Sequence, residues 1–323
     1  MNRVLGRSGI EVSALGMGTW ALGGTMNGSD GQPYGWGTAD DAESTRAIRR
    51  ALDLGVTLFD TADAYGVGHA EELLGSALAP VRDRVVIATK WGNRIGSGTL
   101  DGVDGSPAFV RTALAASLRR LGTDHVDVYQ LHIGDLPPAQ AEDLVDVLEA
   151  LVDEGLIRWY GWSTDDVARA AVFEKGPHCT AIQHELNLVS DAPAMLAFCE
   201  AHDLASLNRS PLAMGLLSDK VTAESRFGPD TVRGLAPAWL KWFDDGRPVP
   251  EFLARRDAVR DVLTSGGRTL AQGALAWCWA RSGKAIPLPG CRTVEQVEQN
   301  AGAMAFGPLT DAEMAQIAAI ESS

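Results

Sequence analysis

The chain has 323 residues, 46% of them hydrophobic, enough for a large core and for either one α/β barrel or two smaller domains. Lys plus Arg is 28 against 42 for Asp plus Glu, a formal charge of −14 with no basic run. Such a chain repels phosphate backbones and anionic bilayers, which argues against nucleic acid and membrane surfaces as partners.

Arg3–Leu5 and Ile10–Val12 flank Gly6-Arg7-Ser8-Gly9, a short-hairpin signal. Ala14–Trp20 then reads as a strand. It contains Gly16-x-Gly18-x-x-Ala21, which on paper fits a dinucleotide fingerprint, but a glycine-rich loop follows where that fingerprint must open a helix. Asp40 or Asp41 caps a helix through Leu54, with Ala47, Ile48, Ala51 and Leu52 at helical spacing and Gly55 as the stop. Strand Val56–Asp60 follows, then helix His69–Leu78, strand Val85–Thr89 and a glycine-rich loop from Gly92 to Gly105. Helix Pro107–Leu121 has Ser106 as its cap; strand Val126–Leu131 and helix Pro138–Glu154 come next.

The alternation continues with strand Ile157–Ser163, helix Asp165–Phe173, strand Ala181–His184, helix Ala192–His202 and strand Leu204–Leu207. An irregular stretch from Gly215 to Pro250 interrupts it. Helices Glu251–Ser265 and Thr269–Arg281, strand Ala285–Leu288 and helices Thr293–Met304 and Thr310–Ile320 complete the chain. Eight strands alternating with helices predict one (β/α)₈ barrel over residues 1–323, preceded by a hairpin and carrying an extended loop after the seventh strand. An open doubly wound sheet is the alternative; it needs a phosphate-binding turn after its first strand, and none is found.

Cys179, Cys199, Cys278 and Cys291 show neither C-x-x-C pairing nor zinc-like spacing with the histidines, so they read as reduced thiols and no metal site is expected. No signal-peptide core and no bilayer-length apolar run is present, which points to a cytoplasmic protein.

Three successive predicted strands end on chemically useful residues: Asp60 with Tyr65 just beyond it, Lys90, and His132. Each alone has an ordinary explanation as a cap, a rim lysine or a structural histidine. On parallel neighbouring strands all four meet on one rim, where barrel enzymes place their catalytic groups. Carbonyl reduction needs this set, because a carbonyl that receives hydride must be protonated. A tyrosine has a pKa of about 10. An ammonium about 4 Å away favours the tyrosinate by about 4 kcal/mol at an effective dielectric of about 20, or about 3 pKa units, with burial acting the other way. Asp60 holds the lysine charged, and His132 orients the substrate oxygen. No side chain donates hydride, so a nicotinamide cofactor has to.

Phe59-Asp60-Thr61-Ala62-Asp63-Ala64-Tyr65-Gly66, Thr89-Lys90 and Leu131-His132 resemble the signature of the aldo-keto reductase superfamily, and the resemblance runs from Leu5 to Asn300. It implies a catalytic tetrad of Asp60, Tyr65, Lys90 and His132 on a (β/α)₈ barrel with NADP(H) across the rim, and NAD(H) as the lesser choice. Ser163 and Thr164 correspond to a motif that holds the nicotinamide carboxamide, Thr164 standing where Asn is usual; Gln183 meets the same group. Arg209, Ser210, Leu212 and Gly215 belong to the loop over the pyrophosphate, with Arg209 where many members stack an aromatic ring on the nicotinamide. Gly290, Arg292, Gln296 and Asn300 match the adenosine end, with Arg292 facing the 2′-phosphate and the opening of the last barrel helix favouring an anion. Gly18, Thr19, Trp20 and Asp60 are expected along the same cofactor.

Trp20, Tyr65, Trp91, His132, Trp239 and Trp242 are the expected substrate pocket, with Trp162 and Phe243 as further candidates and Trp159, Trp277 and Trp279 as packing residues. The implied activity is NADPH-dependent reduction of an aldehyde or ketone by a monomer or weak homo-oligomer. A sugar or alcohol dehydrogenase running oxidatively with NAD(P)⁺, and a nucleotide-binding redox-sensing subunit, are the alternatives.

Overall fold

The computed structural model describes residues 1–322. Its centre is eight parallel strands: β1 (Met17–Gly18), β2 (Leu58–Asp60), β3 (Val86–Trp91), β4 (Val126–Leu131), β5 (Ile157–Ser163), β6 (Cys179–Glu185), β7 (Ala205–Arg209) and β8 (Ala285–Pro287). Each pairs with its sequence neighbour, and the two ends meet. Gly16 N–H donates to Pro287 O (3.0 Å) and Gly18 N–H to Pro289 O (3.1 Å), with a parallel bridge between Gly18 and Gly290. The sheet is therefore a closed (β/α)₈ barrel. Helices α1 (Asp41–Asp53), α2 (His69–Leu78), α3 (Pro107–Leu121), α4 (Pro138–Asp153), α5 (Val167–Glu174), α6 (Pro193–Ala201), α7 (Leu270–Arg281) and α8 (Val294–Gly302) surround it.

Side chains alternate along each strand, and the two rows have different neighbours. Leu58, Val86, Ala88, Val128, Ala181, Ala205, Leu207 and Ile286 fill the barrel interior, joined by Leu5 and Val12 of the N-terminal hairpin (Asn2–Val4 with Glu11–Ser13). Because Leu58, Val86 and Ala205 open their strands, the hairpin closes the N-terminal end. The other row, including Phe59, Ile87, Trp91, Tyr129, Leu131 and Trp162, packs outward against helices. Two residues past the interior row lie Asp60, Lys90, Gln130, Ser163, Gln183 and Arg209, all inward at the C-terminal end.

The helix ends follow local rules. Asp40 caps α1 by accepting from Ala42 N–H (2.9 Å) and Glu43 N–H (3.1 Å), and Thr269 forms a capping box with Gln272 on α7. Several boundaries differ from expectation. The Gly92–Gly105 stretch carries an antiparallel hairpin, Asn93–Ile95 with Leu100–Val103. Ser106 makes no side-chain cap; Pro107 opens α3 by itself. Helix α5 begins at Val167, capped by Asp166, rather than at Asp165. Residues 215–250 are not wholly irregular, since they hold a one-turn helix, Val232–Leu235, and the pair Phe243–Asp244 with Arg247–Pro248. The predicted helix Glu251–Ser265 divides into Pro250–Ala258 and Arg260–Leu263. Among the described residues no helix is long and apolar enough to cross a membrane.

Candidate active site

Strand register brings the four expected catalytic residues together. Asp60 pairs with Ala88 of β3, and Lys90 with Gln130 of β4. Lys90 Nζ donates to Asp60 Oδ2 (2.6 Å), to Thr61 O (2.9 Å) and to Tyr65 Oη (3.1 Å), so all three ammonium protons are used. Gln183 Nε2 (2.8 Å) and Gln130 Nε2 (3.3 Å) donate to Asp60 Oδ1 and fix the carboxylate from the other side. Burial alone would lower the pKa of Lys90, but Asp60 and Tyr65 outweigh it and the value is raised, which keeps the ammonium charged.

Tyr65 lies on a loop pressed against the β1–α1 connection. A Cβ on Gly66, whose φ is +59°, would sit 2.1 Å from Gly23 O, so only glycine permits this approach and the adjoining tyrosine is held by it. Burial raises the Tyr65 pKa above 10.0, and the Asp60 charge raises it further, against the opposing pull of Lys90. The lowering that Lys90 alone would give is outweighed in this state by burial, the opposing effect expected from the sequence, because desolvation of a fully enclosed phenol is the larger effect. The phenol carries its proton at neutral pH, and since Lys90 donates to its oxygen that proton is free to be given elsewhere.

His132 meets the Tyr65 ring edge to face at 5.9 Å. Burial, with Lys90 and Arg209 opposing a further positive charge, lowers its pKa to about 3, so it is a neutral imidazole. Asn93 Nδ2 lies 3.3 Å from Nδ1; with that amide donating, Nε2 carries the ring proton. Asn93 was not singled out in the sequence, although it follows Lys90 by three residues; the signal was its place in the loop leaving β3.

A cleft of about 1590 Å³ opens over this end of the barrel. It exceeds the roughly 300–1,000 Å³ of a single small-molecule site, so cofactor and substrate fit together. Gly18, Thr19, Trp20, Asp60, Ser163, Thr164, Gln183, Arg209, Ser210, Leu212, Gly215, Gly290, Arg292, Gln296 and Asn300 all line it, as do Tyr65 and His132, while Lys90 lies behind Tyr65. The loop after β7 is left-handed at Ser210, Ala213, Met214 and Gly215 (φ +53°, +45°, +54° and +93°), a backbone state that non-glycine residues keep only when their surroundings impose it.

Arg292 Nη1 donates to Trp36 O (3.0 Å) and Nη2 to Thr38 O, while its backbone N–H donates to Gln296 Oε1 (2.7 Å). At the start of α8, whose opening was expected to favour an anion, two amides are already taken: Val294 N–H donates to Glu43 Oε1 (2.9 Å) and Gln296 N–H to Thr293 Oγ1 (3.3 Å). A cation that the sequence did not reveal lies nearby. Arg233, from the one-turn helix, is held over Phe227 (3.8 Å) and Trp36 (5.0 Å) and donates to Met214 O (3.4 Å). Its Nε is buried with no partner, and burial with the neighbouring Arg292 lowers its pKa to about 10.

Of the expected pocket aromatics, Trp20 and Trp239 face the cleft, 6.3 Å apart, with Trp239 52% exposed. Trp91 and Trp242 do not. Trp91 is 0% exposed and packs on Tyr129 at 6.0 Å, because strand parity turns it outward when Lys90 points in. Trp242 is 2% exposed within the helix-facing core. Trp162 and Phe243 are likewise core residues; Trp162 Nε1 donates to Ile133 O (2.9 Å). Tyr34, Trp36, Leu100 and Val103 complete the wall around Trp20.

Comparison with known proteins points to one family. The family model for the Aldo/keto reductase family matches residues 14–322. Aldo-keto reductase YhdN of Bacillus subtilis (strain 168) is 33% identical over 299 residues, 90% of this chain and 85% of that protein. The glycerol dehydrogenase AKR11B4 from Gluconobacter oxydans matches with a TM-score of 0.81 at 30% identity, over 99% of this chain and 94% of that one. An aldo-keto reductase from Klebsiella pneumoniae, solved in complex with NADPH, matches with a TM-score of 0.69 at 28% identity, over 99% and 95%. The chain belongs to the aldo/keto reductase family of NAD(P)H-dependent oxidoreductases.

Proposed function

We propose that this protein reduces an aldehyde or ketone with NADPH, with Tyr65 as general acid, Lys90 and Asp60 as the groups that support it, and His132 as the residue that orients the substrate oxygen. The donation from Lys90 Nζ to Tyr65 Oη at 3.1 Å carries the assignment, because it aims a fixed positive charge at the atom that becomes negative when the proton leaves.

NADPH, when bound, supplies hydride to the carbonyl carbon. The substrate oxygen takes the phenolic proton of Tyr65, the C=O π bond becomes C–O–H, and Tyr65 is left as a phenolate beside Lys90. The lysine thus stabilises the transition state more than the ground state, as catalysis requires. Neutral His132 donates from Nε2 to the same oxygen and adds no charge that would compete with Lys90.

The residues present fit a phosphorylated dinucleotide. Ser163 and Gln183, paired in register, lie beside Asp60 at the reacting end, and Arg292, Gln296 and Asn300 line the far end. Arg233, half-buried at the cleft without a counter-charge, would gain one from a dinucleotide phosphate. Oxidation of an alcohol is the same chemistry in reverse, and a glycerol dehydrogenase is among the similar structures. The test is a panel of aldehydes, ketones and the matching alcohols with NADPH or NADP⁺, followed at the dihydronicotinamide absorbance band. Faster turnover of carbonyls than of their alcohols is expected. Turnover of alcohols alone would reverse the assignment, and tight NADPH binding with no turnover anywhere would replace it with a nucleotide-sensing role.

A further inference from the structure

Arg209 ends β7 and lines the cleft with its side chain 35% exposed. Its Nη2 pairs with Asp165 Oδ2, and Nη1 lies 3.4 Å from Glu185 Oε2, the residue opposite it on β6. Lys241 Nζ in turn lies 2.9 Å from Glu185 Oε1. The Arg209 charge reaches the catalytic groups: Lys90 and Arg209 are the two charges that oppose protonation of His132, and Arg209 also acts on Tyr65. The two cations are not equivalent. Lys90 is fully buried against Asp60 at 2.6 Å, whereas Arg209, paired with Asp165 and Glu185, faces the open cleft.

We propose that Arg209 makes the site hold the reduced dinucleotide more tightly than the oxidised one, an inference that presupposes the nicotinamide site proposed above. A substrate oxygen protonated by Tyr65 must lie about 2.6–3.2 Å from Oη. Hydride passes only between atoms about 3–3.5 Å apart, which puts the nicotinamide ring within a few ångströms of the same carbonyl. A charge felt by Tyr65 and His132 is therefore felt by the ring. The reduced ring is neutral and indifferent to it; the oxidised ring is a cation and is repelled. A bare charge about 6 Å away at an effective dielectric of about 20 would weaken the oxidised form about a hundredfold. Asp165 and Glu185 offset part of the field, so about tenfold is expected. A site with this bias loads reduced dinucleotide from a mixed pool and expels the oxidised product, which suits a reductase with weak product inhibition.

The test is calorimetric titration of NADPH, NADP⁺ and 2′,5′-ADP, the last having the phosphorylated adenosine end without the ring, into wild type, Arg209→Met, Arg209→Lys and Asp165→Asn. The ratio Kd(NADP⁺)/Kd(NADPH) should fall about tenfold in Arg209→Met, stay near wild type in Arg209→Lys and rise in Asp165→Asn, with 2′,5′-ADP binding equal throughout. An unchanged ratio in Arg209→Met, whether neither constant moves or both move together, overturns the proposal. If Arg209→Met loses 2′,5′-ADP binding and is therefore damaged, the Asp165→Asn ratio decides: a rise supports the proposal and no change overturns it. Wild type that binds 2′,5′-ADP but neither dinucleotide overturns the nicotinamide site itself and this inference with it.

Discussion

Arg233 illustrates how a single side chain can report a ligand. Among the described residues it has no carboxylate partner, its Nε is buried and unpaired, and Arg292 repels it. Stacking on Phe227 and Trp36 holds it in place without neutralising it. A phosphate common to NADPH and NADH would relieve it, whereas on the proposed reading Arg292 would face the group that only NADPH carries. Hydrogen bonds to charged groups contribute about 1.5–3 kcal/mol, or roughly tenfold to a hundredfold in affinity. Arg233→Met should therefore weaken NADPH and NADH by a similar factor of about ten or more, while Arg292→Ala weakens NADPH alone, as read by titration of both nucleotides. Loss of NADPH affinity alone in Arg233→Met would move that residue to the 2′-phosphate. Apart from Phe227 in the same loop, the groups around Arg233 lie far away in the chain, at Trp36, Met214 and Arg292, so the local sequence does not mark it.

At the scale of elements, strand parity explains most of the site, including which tryptophans stay out of it. Lys90 and Ser163 point into the barrel, so their neighbours Trp91 and Trp162 point out. The alternating pattern contains that information, whereas the mere nearness of a tryptophan to a strand end does not. Trp239 and Trp242 lacked even that guide, because they sit in a segment with almost no period to read. Their environments now separate them. Trp239→Ala should change the ranking of substrates with little change in melting temperature or NADPH affinity. Trp242→Ala should cost about 3–5 kcal/mol of stability, as expected for a core aromatic, and lower activity evenly across substrates. Thermal melts combined with kcat/KM for three or more carbonyls check both, and a substrate-selective effect of Trp242→Ala would contradict the core assignment. The hairpin within Gly92–Gly105 was hidden for a related reason: glycines provide turns but no side chains from which to read a face. It matters because Asn93, Leu100 and Val103 bring it to the wall of the cleft.

Over the whole molecule, the barrel was readable because its buried strands are apolar runs of the right length, and the capped helices between them leave little choice of topology. Its closure was not written in any one strand. It depends on Gly16 and Gly18 of the first meeting Pro287 and Pro289 of the last, contacts between opposite ends of the chain. Asp60, Tyr65, Lys90 and His132 were legible because each ends or follows a recognisable strand, so barrel geometry turns adjacency in sequence into adjacency in space. What the sequence could not weigh was burial, which holds Tyr65 protonated and His132 neutral. The most direct test of the central claim is Tyr65→Phe, assayed for NADPH-dependent carbonyl reduction and for NADPH affinity by titration. The account predicts turnover reduced by about 10²–10⁴, the usual effect of losing a positioned acid, with NADPH affinity within about twofold of wild type. Near-normal turnover in the phenylalanine variant would contradict it.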